Sequence, residues 1–435
     1  MLYDPHPLLI PYFRAAIFLI KMTKVSLYIT GAAIALASLT SLTIKLQNSL
    51  PPAPGIKVPQ GFTVNIVADS LGPVRHLAVT DNGNIYVKQN NIRNRKGLYY
   101  VTDNNKDGYF ETKTGFGDYP GTGIKIKSGY LYSSSNSAVY RYKLNAKNEV
   151  IDADKPELIV TGLVDKRADN AKAFVVDDKN DLYVAVGSYS DACRAQGSIV
   201  GIPGCPLRDS VGGVWKFKAD KANQTYADGV KFATGVKNSV GIDWNPVTKT
   251  IFVTQHGRSL DNKYPQYYTS QQVAQLPAEA LYELKQGADA GWPFAYYDNF
   301  QNKYVQSPEY GGDGKKSPDT KYLEPLTVIP AHFAPNDLLF YTGKTFPAKY
   351  RNGAFMAFHA QSPEMKKGYL VAFVPFKNGK PSGSWEVFAD NFSGQETGST
   401  TIQYRPTGLA QGPDGSLYVA DDLKGTIFKI SYSGK

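Results

Sequence analysis

The sequence predicts an all-β protein, and more narrowly a six-bladed β-propeller. Aromatic and β-branched residues occur in short runs bounded by Gly, Asn, Asp and Pro, which is typical of strands and turns. The 27 prolines are spread along the 435 residues, which disfavours long helices. One unit also recurs six times: an apolar strand, a tight turn containing Asp, Asn or Gly, and a second apolar strand that ends near Tyr-Val.

The recurring units define the blades. In chain order the six copies cover residues 75–87, 123–132, 172–184, 240–253, 338–358 and 407–419. Six sheet-like units in series favour a closed ring, because closure hides most sheet edges. The lone alternating strand 61–69 is then expected to complete the last blade beside residues 426–430. Two β-sandwiches and a β-helix are the alternatives, but the repeat is too uniform for the first and too long for the second.

The regions before the propeller suggest export. We predict three regions: an N-terminal extension with a signal peptide or membrane anchor (1–48), a linker (49–58) and the propeller (59–433). Residues 25–44 are uncharged and largely apolar and follow Lys21 and Lys24, as in a secretory signal. This run is also long enough to remain as a single membrane anchor. We therefore expect a periplasmic or secreted protein, with membrane attachment only through this segment.

The two cysteines agree with export. Cys193 and Cys205 lie in one loop rich in Gly, Ser and Pro, and their spacing does not match a CxxC metal or redox motif. A disulfide that closes this loop is the expected arrangement, and it implies an oxidising compartment. Two unpaired thiols are the alternative.

Charge and motifs exclude several function classes. The formal net charge is +10, but the lysines and arginines are scattered and form no basic helix or long basic run. Nucleic-acid binding is therefore not expected. The chain also lacks a Gly-x-Ser-x-Gly elbow, a dinucleotide-binding fingerprint and a P-loop, so serine hydrolase, nicotinamide and ATP chemistry have no support.

Polar side chains bracket the hairpin of the fourth copy. Lys237 and Asn238 precede it, and residues 255–258 (Gln-His-Gly-Arg) follow it. Strands project residues at both ends of a hairpin to one rim, so this stretch predicts a site on a rigid scaffold. Four other side chains are candidates for the same central channel: Arg75, His76, His332 and His359.

A second candidate is a calcium-binding loop. Asp103, Asn105 and Asp107 place oxygen side chains at alternate positions, and Gly108 supplies the sharp turn that such loops need. Thr114 occupies the twelfth position, so the bidentate Glu of an EF-hand is missing. An Asx-type hairpin without metal is the alternative. Asp313, in a Gly-Gly-Asp-Gly stretch, is a weaker candidate.

Several motifs carry a family resemblance. They are TGVKNSVGIDWNP, TQHGRSLDN, PAEALYELKQGADAGWPFAYYD, AHFAPNDLLFYTG, FPAKYRNGAFMAFH and RPTGLAQGPDGSLYVADD. In this order they resemble the soluble sugar dehydrogenases that use pyrroloquinoline quinone (PQQ), the glucose/sorbosone dehydrogenase family, over residues 58–432. The resemblance implies a six-bladed propeller with PQQ and Ca²⁺ in its central cavity, and oxidation of a sugar hydroxyl or aldehyde.

The resemblance also implies roles for individual residues. Lys237 and Asn238 match an Arg-Asn pair that binds the cofactor, and Lys keeps the charge but loses the bidentate fork. Arg405 matches a basic cofactor-contacting position. The backbone oxygens of Gly257 and Arg258 match the calcium-binding turn.

Other positions depart from the family pattern. Asp169 stands where the family has a histidine base, and the motif that begins at His359 lacks the family's trailing arginine. His256, beside the predicted calcium turn, is expected to hydrogen-bond the cofactor or the substrate. Three functions follow: a PQQ-dependent sugar or aldehyde dehydrogenase with an unknown electron acceptor, an inactive propeller that binds carbohydrate or protein, and a calcium-dependent lactonase on the same fold.

Overall fold

The computed structural model describes residues 50–434, except residues 54, 261, 262, 363 and 364. The predicted signal or anchor segment within 1–48 lies outside the described residues. Within the described part of the chain, no helix is long and apolar enough to cross a membrane.

The described residues form strands with short connections and a few short helical turns. In chain order the strands are β1 (Phe62–Ala68), β2 (Val74–Val79), β3 (Ile85–Arg93), β4 (Lys96–Thr102), β5 (Thr112–Phe116), β6 (Ile124–Lys127), β7 (Tyr130–Ser134), β8 (Val139–Lys143), β9 (Glu157–Thr161), β10 (Phe174–Val176), β11 (Asp181–Val186), β12 (Gly213–Lys218), β13 (Gln224–Thr225), β14 (Val230–Thr234), β15 (Ile242–Asn245), β16 (Thr250–Gln255), β17 (Glu279–Leu284), β18 (Ala288–Asp289), β19 (Ala295–Asp298), β20 (Lys303–Gln306), β21 (Thr327–Ile329), β22 (Pro335–Phe340), β23 (Ala354–Ser362), β24 (Lys367–Val374), β25 (Phe376–Lys377), β26 (Lys380–Pro381), β27 (Glu386–Ala389), β28 (Pro406–Gln411), β29 (Leu417–Asp421) and β30 (Ile427–Tyr432). The helical pieces are the α-helix Ser270–Val273 and the 3₁₀ turns Pro206–Asp209, Tyr226–Asp228, Pro308–Tyr310, Ala348–Tyr350 and Gln395–Thr397.

These strands build six antiparallel blades, which confirms the predicted propeller. The blades are β2–β5, β6–β9, β10–β11–β12–β14, β15–β16–β17–β21, β22–β23–β24–β27 and β28–β29–β30–β1. Each predicted repeat supplies the first two strands of one blade. Strand β1 pairs with β30, with Phe62 opposite Tyr432, so the first strand of the propeller completes the last blade as predicted.

Apolar side chains between neighbouring blades form the core. Phe62 on β1 packs edge-on against Phe388 on β27, with ring centroids 5.1 Å apart, and so joins the last blade to the fifth. Val175 of the third blade belongs to one cluster with Ile242 and Val253 of the fourth. The inner strands are therefore held at fixed positions around the ring, and their ends form a rigid frame for polar side chains.

Two segments outside the blades are also fixed. In the predicted linker 49–58, the Lys57 amide donates to the Asp390 carbonyl (3.0 Å), and Ala53 is buried in the core. The loop after β11 contains the predicted disulfide, Cys193–Cys205, with Cα atoms 6.0 Å apart, which confirms that pairing.

Candidate active site

One end of the inner strands gathers charged and polar side chains from several blades. We call this set the central polar cluster: Arg75, Asp169, Asp191, Lys237, Asn238, His256, His359, Arg405 and Asp422. Arg75 and His359 lie within the first or second strand of a blade, and Asp191 lies in the loop after β11. The other members lie in the connections next to a first or second strand. Short contacts link them in the two groups described next, so the structure brings together all the predicted catalytic and cofactor-binding residues.

The first group is built around Lys237. Its Nζ lies 2.7 Å from Asp169 Oδ2 and 3.4 Å from Asp191 Oδ1. Asn238 Nδ2 donates to Asp169 Oδ1 at 3.0 Å, so both oxygens of the Asp169 carboxylate accept hydrogen bonds. Asn238 Oδ1 is buried and has no hydrogen-bond partner among the described residues. This oxygen packs against Gly187, so the contact of Asn238 with the cluster runs through Nδ2.

His256 connects this group to the fifth blade. Its Nε2 lies 3.2 Å from the Pro335 carbonyl, which can only accept, so Nε2 carries the proton. Its Nδ1 then faces Asn238 Nδ2 at 3.5 Å as an acceptor. Burial, together with the nearby cation of Lys237, lowers the pKa of His256 to about 3, so the imidazole is neutral at physiological pH.

The second group is built around Asp422, at the end of β29. Its Oδ2 lies 2.9 Å from His359 Nε2, and its Oδ1 accepts from Arg405 Nε at 2.9 Å. Arg75 Nη1 lies 3.6 Å from the same carboxylate. Burial acts to raise the pKa of Asp422, but the His359 hydrogen bond and the two cations hold it below its usual value. Asp422 is therefore an ionised anchor for one histidine and two arginines.

The predicted calcium turn is braced by two buried carboxylates that the sequence did not reveal. Glu279 accepts hydrogen bonds from the Ala334 amide (2.7 Å) and the Gly257 amide, and burial raises its carboxyl pKa to about 8. Arg258 forms a bidentate ion pair with Glu309, with both N–O distances 2.6 Å. The carbonyls of Gly257 and Arg258 accept no hydrogen bond from any other described residue. These two oxygens therefore have no partner among the described residues, while the Arg258 side chain is structural.

Five other predicted site residues are not members of the central polar cluster: Asp103, Asn105, Asp107, Asp313 and His332. Asp103 and Asn105 accept hydrogen bonds from backbone amides of their own loop, between β4 and β5 of the first blade, at 2.8 and 2.9 Å. Asp313 likewise accepts from the Lys315 amide (2.9 Å). His332 has a left-handed backbone, with φ of 68°, in the connection before β22. Within the described residues, no three His, Cys, Asp or Glu side chains are grouped to hold a metal. Calcium at Asp103, Asn105 and Asp107 therefore stays a prediction.

His76 lies one residue beyond Arg75 and is buried. Its Nε2 lies 2.8 Å from the Asn336 carbonyl and 3.9 Å from Asp337 Oδ1, and burial lowers its pKa despite this carboxylate. The folded protein therefore keeps His76 neutral at pH values where the unfolded chain, with a pKa of about 6.5, already binds a proton. The unfolded state gains protons as pH falls below that value, so acidification destabilises the fold.

We expect His76→Gln to reduce this acid sensitivity, since Gln keeps a donor for the Asn336 carbonyl but does not titrate. Between pH 7 and pH 5.5, the free energy of unfolding should fall by about 1 kcal/mol less in the variant than in the wild type. Urea unfolding at the two pH values measures the difference. If the free energy of unfolding changes equally with pH in both proteins, His76 is not the group that makes stability depend on pH.

Comparison with known proteins agrees with this architecture. The chain matches the TrAA12-like family over residues 56–433. It is 26% identical over 391 residues to an uncharacterised protein of Borreliella burgdorferi, covering 87% of this chain and 91% of the relative. It is 22% identical over 340 residues to a pyrroloquinoline quinone-dependent sugar dehydrogenase of Hypocrea jecorina, covering 72% and 74%.

Solved structures share the fold. The PQQ domain of pyranose dehydrogenase from Coprinopsis cinerea, in its holo form, superimposes with a TM-score of 0.68 at 20% identity, covering 88% of this chain and 98% of that one. The calcium structure of the Trichoderma reesei carbohydrate-active enzyme of family AA12 gives 0.70 at 18% identity, with the same coverage. These matches confirm the resemblance drawn from the sequence motifs, and the chain belongs to the TrAA12-like family.

Proposed function

We propose that this protein is a PQQ-dependent oxidoreductase that oxidises a CH–OH or aldehyde group of a sugar, with Ca²⁺ assisting. The observation that carries the proposal is the convergence of Lys237, Arg75 and Arg405 on one central site in a chain of this family. PQQ carries carboxylate groups, and cations with hydrogen-bond donors are the groups that hold carboxylates. The names of the relatives in Hypocrea jecorina and Coprinopsis cinerea point to the same cofactor.

The donors in the cluster fit this cofactor. Arg405 uses Nε for Asp422, so its two Nη groups remain available for a carboxylate, and Arg405 keeps 34% of its side chain exposed. Lys237 would supply a third cation from the opposite group, and Asn238 and His256 would orient the ring system. The free carbonyls of Gly257 and Arg258 suit Ca²⁺, which prefers oxygen ligands. When bound, the quinone accepts the hydride from the sugar carbon.

We also propose that the protein is exported. The Cys193–Cys205 disulfide supports an oxidising compartment, because disulfides are rare in reducing cytosol. The periplasm or the extracellular space would therefore be the site of action. A sugar or sugar aldehyde is the proposed substrate.

The proposal is tested with the purified full chain, PQQ and CaCl₂. A panel of aldoses, ketoaldoses and polyols is screened for reduction of a redox dye, with omission of PQQ as the control. At least one sugar should give PQQ-dependent turnover in the usual range of enzymes, about 1–10³ per second. Binding of PQQ without turnover of any sugar would instead indicate an inactive binding propeller. Hydrolysis of lactones that needs calcium but not PQQ would favour the lactonase alternative.

A further inference from the structure

Five side chains in the central polar cluster can accept a proton: Asp169, Asp191, Asp422, His256 and His359. Asp191 accepts from the Ser259 amide and lies 3.4 Å from Lys237. Asp422 is engaged by His359 and Arg405, which leaves three groups to compare.

Both oxygens of Asp169 accept hydrogen bonds, from Lys237 at 2.7 Å and from Asn238 at 3.0 Å. His256 donates through Nε2 to a carbonyl and faces Asn238 Nδ2 with Nδ1. Asp169 is thus held as the counter-ion of Lys237, although each of its oxygens keeps a second lone pair, whereas His256 has both ring nitrogens engaged. A base needs a free lone pair within reach of the proton that it removes.

His359 is the third group, and only one of its nitrogens is engaged. Its Nε2 lies 2.9 Å from Asp422 Oδ2. An ionised carboxylate can only accept, so Nε2 carries the proton and the neutral ring leaves a lone pair on Nδ1. Nδ1 makes no hydrogen bond to any other residue that the structure describes. The side chain keeps 18% of its surface exposed, so a small molecule can approach it.

Asp422 is placed to hold this tautomer. Its side chain is only 5% exposed, and Arg405 and Arg75 approach it at 2.9 and 3.6 Å. Two cations keep the carboxylate ionised and oriented, so its second oxygen can only accept from His359 Nε2. The charged and titratable groups around His359 are therefore Asp422, Arg405 and Arg75, with His256 also within electrostatic range.

We propose that His359, oriented by Asp422, accepts the hydroxyl proton of the sugar, and that Asp169 instead serves to pair Lys237. The proposal rests on the proposed function. The proton released when the substrate O–H bond breaks would bond to His359 Nδ1. A carbon–oxygen double bond would form as the C–H electron pair leaves as hydride, for which the quinone, when bound, would be the acceptor. The imidazolium that forms is stabilised by the Asp422 carboxylate. His359 is then a catalytic residue and Asp422 a positioning residue.

The tautomer is tested without the cofactor. ¹⁵N NMR of the histidine-labelled full chain, with the His359 signals assigned by His359→Gln, should show a proton on Nε2 and none on Nδ1. Asp422→Asn places a donating amide opposite the ring, so the proton should move to Nδ1. Asp414→Asn is the matched control, because Asp414 lies at the opposite end of the same blade, where it accepts from the Ser416 amide (3.0 Å). A proton on Nδ1 in the wild type would overturn the proposal.

Kinetic measurements distinguish a failure of the base assignment from a failure of the proposed function. His359→Gln should lower kcat about 10²–10⁴-fold while PQQ still binds, whereas Asp169→Asn should leave more than a tenth of kcat. Asp422→Asn should lower kcat and shift the acidic limb of its pH profile, and the melting temperature of each variant checks folding. An active wild type with unchanged kcat in His359→Gln, or loss of PQQ binding in that variant, refutes the base assignment alone. A wild type that binds PQQ and oxidises no sugar refutes the proposed function, and the assignment with it.

Discussion

Replacing Arg258 by alanine is expected to destabilise the propeller by about 3–5 kcal/mol, the typical cost of removing one partner of a buried ion pair. The Glu309 side chain is fully buried, and Arg258 is only 3% exposed. Alanine would leave the Glu309 carboxylate in a low-dielectric site with Arg194 as its remaining cation, 3.5 Å away. The loss of stability comes mainly from burying an incompletely paired charge, and less from the loss of an attractive contact.

Urea unfolding of the wild type and of Arg258→Ala measures this effect. The double variant Arg258→Met with Glu309→Leu is the matched control, because it removes both charges and keeps an apolar filling. It should recover part of the lost stability, since Arg194 loses the Glu309 carboxylate in the double variant. If Arg258→Ala costs less than about 1 kcal/mol, in the range of an exposed pair, the ion pair is not a structural support of the turn.

Lys237→Ala is expected to weaken PQQ binding about 10–100-fold. A hydrogen bond to a charged group contributes about 1.5–3 kcal/mol, which corresponds to that factor in the dissociation constant. The loss should reach the upper part of this range, because Asp169 and Asp191 would lose their shared cation and would repel the cofactor carboxylates. Fluorescence titration of the full chain with PQQ in the presence of Ca²⁺ gives the constants.

Lys231→Ala is the control for this experiment, since Lys231 pairs with Asp209 at the surface, at 3.5 Å. It should leave the dissociation constant unchanged. Asp169→Asn should tighten binding or leave it unaltered, because it frees one donor of Lys237. If Lys237→Ala and the wild type bind PQQ with equal affinity, Lys237 does not contact the cofactor.

The first two strands of each blade were predictable from the sequence, and so was the pairing of β30 with β1 in the last blade, but most of the other outermost strands were not. Repeats such as 240–253 pair two apolar runs across a tight turn, so local pattern alone identifies β15 and β16. The outermost strands, such as β14 (Val230–Thr234, Val-Lys-Phe-Ala-Thr), are exposed on one side and short, and long connections separate some of them from the rest of their blade. Their pairing is set by tertiary contacts that leave little signal in the local sequence.

The same distinction applies to the candidate site. Lys237, Asn238 and His256 flank a recognisable hairpin, and Arg405 precedes another. Asp422 follows the second strand of its blade just as His256 does. Aligning the repeats would therefore have identified Asp422 as a candidate. Glu309 had no such signal, because it lies in a 3₁₀ turn of an inserted loop and reaches Arg258 only through the folding of that loop.

The assignment of the quinone site is tested most directly by calorimetric titration of the purified full chain with PQQ, with and without Ca²⁺. We expect saturable binding near one PQQ per chain that is stronger with Ca²⁺. The melting temperature should rise, because a ligand that binds only the folded state stabilises it. Lys237→Ala and Arg405→Ala should both weaken that binding. Absence of binding at PQQ concentrations of tens of micromolar, with the protein folded, would contradict the assignment of the central polar cluster as a quinone site.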